Sequence, residues 1–388
     1  MTRPFHRGLL ALVVALAAAG LLVMLVQPRA SRMSSDFTIN YSAGVLVRQG
    51  QFAAPYHQAA LGDTMRRVAP DGAIDPGLPF SLPLIAALPF AGLSLLPIDI
   101  AFRVWQVISA ALLVLGVVIL QRARPLDRRA PAFALLGLLA AVPTWTSLTE
   151  GQVTPLLLVG GALLIATLGR DQWAMAAGGG ALLAVKPQYL PVYLVLLLAA
   201  RRWRMLLAAG GGAALVLMSP LAGGVGGIAA MLHNALRANQ AVTIRLDEAW
   251  IGVVGPALPA AAATAVAIAT YALVLATLAV IAWRRPASST GFAVLALVLG
   301  VLASPHALPH DLLILVVPAW LAVVLFREGR LPNPVPGFLL IDLALLIDLH
   351  GVGVPLGPIV MTAVIGWYGW QFRQRATAQR RPPVVRAA

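Results

Sequence analysis

The sequence has no cysteine, a single lysine, and charge on only 11% of its 388 residues. The first absence removes disulfides, thiol catalysis and cysteine-ligated metals. Charge this scarce, against about 25% in an average soluble domain, cannot cover a water-facing surface when 60% of the chain is hydrophobic. The same apolar content excludes disorder, which requires low hydrophobicity. No Walker loop, Gly-x-Ser-x-Gly, His-Glu-x-x-His or dinucleotide fingerprint is present, so nucleotide-driven chemistry is not expected. What remains is an all-α polytopic membrane protein.

The formal charge of +14 would suggest nucleic acid on a soluble chain. In a membrane protein it has a plainer source, the basic excess of cytoplasmic loops. The first apolar run, Gly8 to Val26, follows Arg3, His6 and Arg7 and is longer than a signal-peptide core. It reads as a signal anchor with its N-terminus inside. Placing Arg122–Arg129, Arg170, Arg201–Arg204, Arg284–Arg285, Arg327–Arg330 and the C-terminal arginines in the cytoplasm gives about twelve crossings: 8–26, 100–121, 131–148, 152–168, 174–186, 188–200, 205–221, 258–282, 290–303, 311–326, 336–349 and 355–372. This puts 19 of 27 arginines on one side. Net charge then reflects topology, and no nucleic-acid partner is expected. The expectation is a bacterial-type inner (plasma) membrane protein surrounded by lipid, with both termini cytoplasmic. Residues 1–372 form one integral domain with outer loops 27–99 and 222–257. The basic tail 373–388 is expected to be disordered and suited to anionic lipid heads.

Some segments strain a simple bundle. Residues 79–97 are apolar but carry Pro79, Pro83, Pro89 and Pro97, which predicts a re-entrant or interfacial hairpin. Residues 174–200 are too long for one span and break at Lys186-Pro187; irregular backbone at that depth must line protein or a wet cavity. In the outer loops, Phe37, Tyr41, Val45 and Leu46 before Gly50, and Ile228, Met231, Leu232 and Leu236 in 226–240, predict two amphipathic helices lying on the outer membrane surface. The runs Gly178–Gly180 and Gly210–Gly212 predict close helix packing.

Eleven of the fourteen acids fall on the outer side or within spans under this scheme, which points to work at the outer face. Asp36 follows Ser34-Ser35 at a helix start. It is either an N-cap or a general base held at the membrane surface. Lys186 is the only lysine, in an apolar segment where a charge is costly. It either binds a phosphate as a point charge or pairs with a helix carbonyl or an aspartate. Glu150-Gly151-Gln152 is an interfacial turn or the polar wall of a cavity. His306, His310 and Asp311 offer three ligands, but Pro305 and Pro309 spoil a regular face, so no metal is expected and substrate contacts or capping are the alternatives. For Asp342 and Asp348 the options are coupling-ion sites or pairing with arginine or helix ends.

The order of these features resembles a known family. Asp36 with Tyr41, Gly50 and Tyr56, the proline-rich 79–97, Gly151-Gln152 opening a span, Lys186-Pro187 followed by Arg201-Arg202-Trp203-Arg204, and Ser304-Pro305-His306 with His310 look like glycosyltransferase family 87, polytopic mannosyltransferase-like proteins of the GT-C fold. One departure is Pro79-Phe80-Ser81-Leu82-Pro83, where the family often has an aromatic residue before two prolines. The resemblance implies a GT-C-like bundle that moves a hexose, mannose first, from a polyprenyl-phosphate donor to a glycolipid or glycan acceptor on the outer face, with inversion. It implies Asp36 as general base, and Lys186, His310, His306, Gln152 and Tyr41 as substrate or phosphate contacts. No nucleotide cofactor or metal is implied. The competing classes are a lipid-sugar transporter or flippase and a non-catalytic envelope-assembly subunit.

Overall fold

The structure, a computed structural model, describes residues 3–72, 74–241, 247–284, 290–349 and 355–380. The described residues are 79% helical and hold no strand. A chain this apolar must satisfy its backbone polar groups internally, which helices do within one segment.

Four described helices are long and apolar enough to cross a bilayer: Ile98–Ala123, Trp203–Gly223, Ala260–Arg284 and Pro309–Arg327. A fifth crossing is available if Ala130–Ala140 and Val142–Thr149, bent by 65° at their junction, count as one. The twelve crossings expected from the arginine pattern are therefore not all matched by full-length helices. Thr154–Thr167, Trp173–Leu183, Pro187–Ala199 and Thr290–Leu302 are apolar but have only 10–17 residues. At about 1.5 Å per residue they fall short of a hydrocarbon core about 30 Å thick. Punctuation is the cause: Pro143 opens the second half of the bent pair, and Pro187 ends the run after Trp173–Leu183, because proline cannot continue a helix.

The breaks are closed by late acids. Asp342 accepts the free Val142 N–H at the bend at 2.8 Å. Asp348 accepts Leu356 N–H and Gly357 N–H at 2.7 Å each. Both aspartates thus pair with helix ends. The glycine runs act as expected: a Cβ on Gly179 would lie 2.9 Å from Gly160 O. A Cβ on Gly180 would lie 2.0 Å from Ala209 O, and one on Gly212 would lie 2.0 Å from Ala177 O, so Trp173–Leu183 and Trp203–Met218 touch backbone to backbone.

The outer-loop expectation needs correction. Asp36–Arg48 is a helix, and the chain turns at Gly50 with φ 76°, but it does not lie on a surface. Every residue from Phe37 to Val47 is buried. Leu88–Leu93, the short helix of the proline-rich segment, lies on it at Gly44, where a Cβ would meet Phe90 C at 2.4 Å. Phe37 packs against Phe90 and Phe102. The polar positions Thr38, Asn40 and Ser42 are small enough to be enclosed, which periodicity alone reads as a wet face. Leu84–Leu93 is too short to span, in keeping with a non-crossing segment. In Gly227–Ala241, Met231 and Asn234 face inward while Leu232 and Leu236 are exposed, so the four apolar residues do not share one face. Leu356–Arg380 is one helix; the first part of the tail expected to be disordered is thus helical, and 381–388 lie outside the described residues.

Candidate functional site

Asp36 is placed by a chain of anchors. Gln27 Nε2 donates to Thr149 O at 2.9 Å, and Arg32 pairs with Asp99 at 3.1 Å. Phe37 N–H then donates to Glu150 O at 2.9 Å, which lays the helix start against the Glu150-Gly151-Gln152 turn. Gly151 has φ 63°, and a Cβ there would lie 2.6 Å from Phe37 Cβ. Only glycine allows this approach. Ser35, not Asp36, occupies the cap position, and no side chain caps the helix. The Asp36 carboxylate instead accepts from Gln152 Nε2. Gln152 is itself fixed: its N–H donates to Ser147 O at 2.9 Å, and its carbonyl accepts Trp105 Nε1–H at 3.3 Å. Burial, and then the charge of Glu150, raise the Asp36 pKa, against His310, Lys186 and Gln152, which lower it. A carboxylate held up in this way is a stronger base than one in water.

The opposite side comes from the helix break and residues 304–311. Lys186 stands before the short turn Pro187–Tyr189. Its Nζ donates to Asp311 Oδ1 at 2.5 Å and lies 3.3 Å from His310 Nε2. The Asp311 side chain is fully buried. His310 Nδ1 lies 2.7 Å from Glu150 Oε2. One assignment satisfies both ring nitrogens: Nε2 accepts from the ammonium, and Nδ1–H donates to Glu150. His310 therefore links Lys186 to the Asp36 side. Of the two sequence alternatives for Lys186, the geometry supplies the aspartate partner, 125 residues away.

His306 stands beside this group, its Nδ1 3.0 Å from Asp247 Oδ2. Tyr41 is not drawn in: its hydroxyl donates to Leu96 O at 2.8 Å. Asp36, Gln152, Lys186 and His310 are thus brought together, His306 is adjacent, and Tyr41 is used by the loop. Glu150, Asp247 and Asp311 are the acids that the sequence did not place among the site residues, although Asp311 was weighed there as a ligand beside His306 and His310. For Glu150 a signal existed, the polar turn it begins; for Asp247 nothing in the local pattern marked it. Asp36, Glu150 and His310 each present one ligand atom, all within 4.8 Å of one another, and could hold a metal ion. This set differs from the His306, His310 and Asp311 grouping suggested by spacing.

Two carboxylates, a linking imidazole and a paired ammonium suit transfer to a hydroxyl group. The model of glycosyltransferase family 87 matches residues 80–305, more than half of the chain. The chain belongs to glycosyltransferase family 87. No curated protein and no solved structure matches it. Within the family 87 match lie Glu150, Gln152, Lys186 and Asp247, together with Ser304; Asp36, His306, His310 and Asp311 lie outside it. The family and the apolar helices make this a membrane glycosyltransferase acting on a sugar donor and an acceptor.

Proposed function

We propose that the protein moves a hexose, mannose first, from a polyprenyl-phosphate donor to a glycolipid or glycan hydroxyl on the outer face of a bacterial-type inner membrane, with both termini cytoplasmic. The observation that carries this reading is the Asp36 carboxylate, held by Gln152 and facing Glu150 and His310. The acceptor oxygen attacks the anomeric carbon while Asp36 takes its proton. The bond from that carbon to the phosphate oxygen breaks, and its electron pair leaves with the lipid phosphate. A single displacement inverts the anomeric centre. Lys186, His310 and His306 stand on the leaving-group side, and no metal or nucleotide takes part. The outer-face assignment rests on the arginine distribution.

The test is Asp36→Asn in the full-length protein reconstituted into vesicles with polyprenyl-phosphate mannose and a glycolipid acceptor. A base of this kind contributes about 10²–10⁴-fold, so transfer should fall by at least a hundredfold while the protein still inserts and folds. Near-normal turnover in Asp36→Asn would refute the base assignment. A transporter would show no transfer in any variant.

A further inference from the structure

The proposed reaction makes a phosphate dianion, and the most evident cation near it is already committed. Lys186 is bound to Asp311 at 2.5 Å, its side chain is only 12% exposed, and its Nζ also lies 3.3 Å from His310 Nε2, so its ammonium is largely taken up within the protein. His306 is different. Its side chain keeps 22% of its surface, and it sits close enough for the charges of Asp311 and Lys186 to act on it. Its backbone is pinned: Ser304 Oγ donates to His306 O at 2.7 Å, and Tyr189 donates to the same carbonyl at 3.3 Å.

Behind the ring stands Asp247, which is 4% exposed. It accepts Ala249 N–H at 2.9 Å and Ala307 N–H at 3.0 Å, besides its contact with His306 Nδ1. Three contacts on one buried carboxylate fix its position. The imidazole is thereby oriented: Nδ1–H is spent on Asp247, and Nε2 is the nitrogen left to meet a ligand.

We infer that Asp247 is a positioning residue that holds His306 as the imidazolium whose Nε2–H receives the leaving phosphate of the lipid donor. This rests on the glycosyl-transfer reading above and names the group that meets its leaving oxygen. As the anomeric C–O bond breaks, the electron pair goes to the phosphate oxygen. The imidazolium donates a hydrogen bond to that oxygen and keeps its proton, so the acceptor's proton, taken by Asp36, is the only one transferred. Burial pulls the His306 pKa down, but the hydrogen bond and charge of Asp247, with Asp311, raise it overall against Lys186. Glu248, next to Asp247, is pushed up to about 9 by burial and by Asp348 and Asp247. It is therefore protonated at neutral pH and does not compete for the imidazolium. Because the His306 pKa is raised, the phosphate contact is complete at low pH and is lost as pH rises through that value.

The probe is farnesyl phosphate, an isoprenoid monophosphate without sugar, titrated calorimetrically into the full-length protein in nanodiscs from pH 6 to 9. Taking the ratio of wild-type to His306→Gln affinity at each pH cancels the ligand's own ionisation. We expect His306→Gln to bind at least tenfold more weakly at pH 6, with the ratio approaching one at pH 9. Asp247→Asn, which keeps an acceptor for the two amides, should weaken binding to a similar degree, and the double variant should be no weaker than either single one. Folding of each variant is checked by gel filtration and melting. If Asp247→Asn fails to fold, the His306→Gln ratio decides. Unchanged affinity in folded His306→Gln overturns the proposal, as does binding lost only in Lys186→Met; both leave the glycosyl-transfer reading standing. If the wild-type protein does not bind farnesyl phosphate at all, the lipid-phosphate donor falls, and this inference falls with it.

Discussion

On one side of the site, Asp36 and the Glu150-Gly151-Gln152 turn are tied by backbone hydrogen bonds and by a contact that only glycine permits. On the other, Lys186 and His306 are held against the carboxylates of Asp311 and Asp247. The first wall is fixed by shape and the second by charge. A shape-fixed wall suits a base that must reach one hydroxyl at one distance. A charge-fixed wall suits a place where charge arrives and leaves, because its balance can be reset by a ligand. His310 joins the two: it takes a hydrogen bond from Lys186 and gives one to Glu150.

The comparison can be broken most severely at Asp311. Asp311→Ala leaves the Lys186 ammonium uncompensated, and breaking one partner of a buried pair costs about 3–5 kcal/mol. We expect a large loss of folded protein, read by thermal melting in detergent. Replacing both partners, Lys186→Met with Asp311→Leu, should recover most of that stability while transfer stays low. A stable Asp311→Ala protein would mean that charge does not hold this wall.

Gly151→Ala tests the other wall. A left-handed backbone costs about 1–2 kcal/mol for an L-residue, and overlap with Phe37 adds about 1 kcal/mol or more. The expected result is a lower melting temperature together with a fall in kcat, since the same turn carries Glu150 and Gln152. Unchanged kcat would show that the turn does not position Asp36.

Glu150→Gln should have a smaller effect, and one specific to pH. Burial and then the Glu150 charge raise the Asp36 pKa, and activity is lost as pH falls through that value. Removing the Glu150 charge lowers the Asp36 pKa, so the acid limb of the kcat profile should move to lower pH. A limb that stays in place would separate the two carboxylates. The smallest expected effect is that of chelation. Because Gln152 and His310 engage these carboxylates, dialysis against EDTA should leave transfer within twofold of the untreated protein. Activity abolished by EDTA and restored by Mn²⁺ or Mg²⁺ would assign Asp36, Glu150 and His310 to a metal instead.

Much of the site could be read from residue types out of place. A lone lysine in an apolar run, a proline directly after it, and an acid close behind the first span each break a local rule, and all three are at the site. What local pattern could not supply was the partners. Asp311 lies 125 residues from Lys186, and Asp247 lies 59 residues from His306, so only the fold brings them together. The described helices match the crossing count only in part, for a related reason. Arginine clusters count apolar runs, but they carry no information on whether a run bends, as 130–149 does by 65°. The burial of Asp36–Arg48 was hidden because small polar residues can be enclosed as readily as wetted.

The hydrogen bond from Val142 to Asp342 has a consequence for how the protein is made. Its partners are 200 residues apart, and the helix that begins at Val142 carries the turn that seats Asp36. At about 5–20 residues per second, the ribosome needs roughly 10–40 s after Val142 to deliver Asp342. For that interval the amide at the bend has no carboxylate, and an unsatisfied backbone group in lipid costs several kcal/mol. The site therefore cannot set as its own segments emerge. It is completed only when the late helix Val335–Asp348 enters the membrane, which makes that helix a closing step of biogenesis although, among the described residues, it places no side chain in the candidate site.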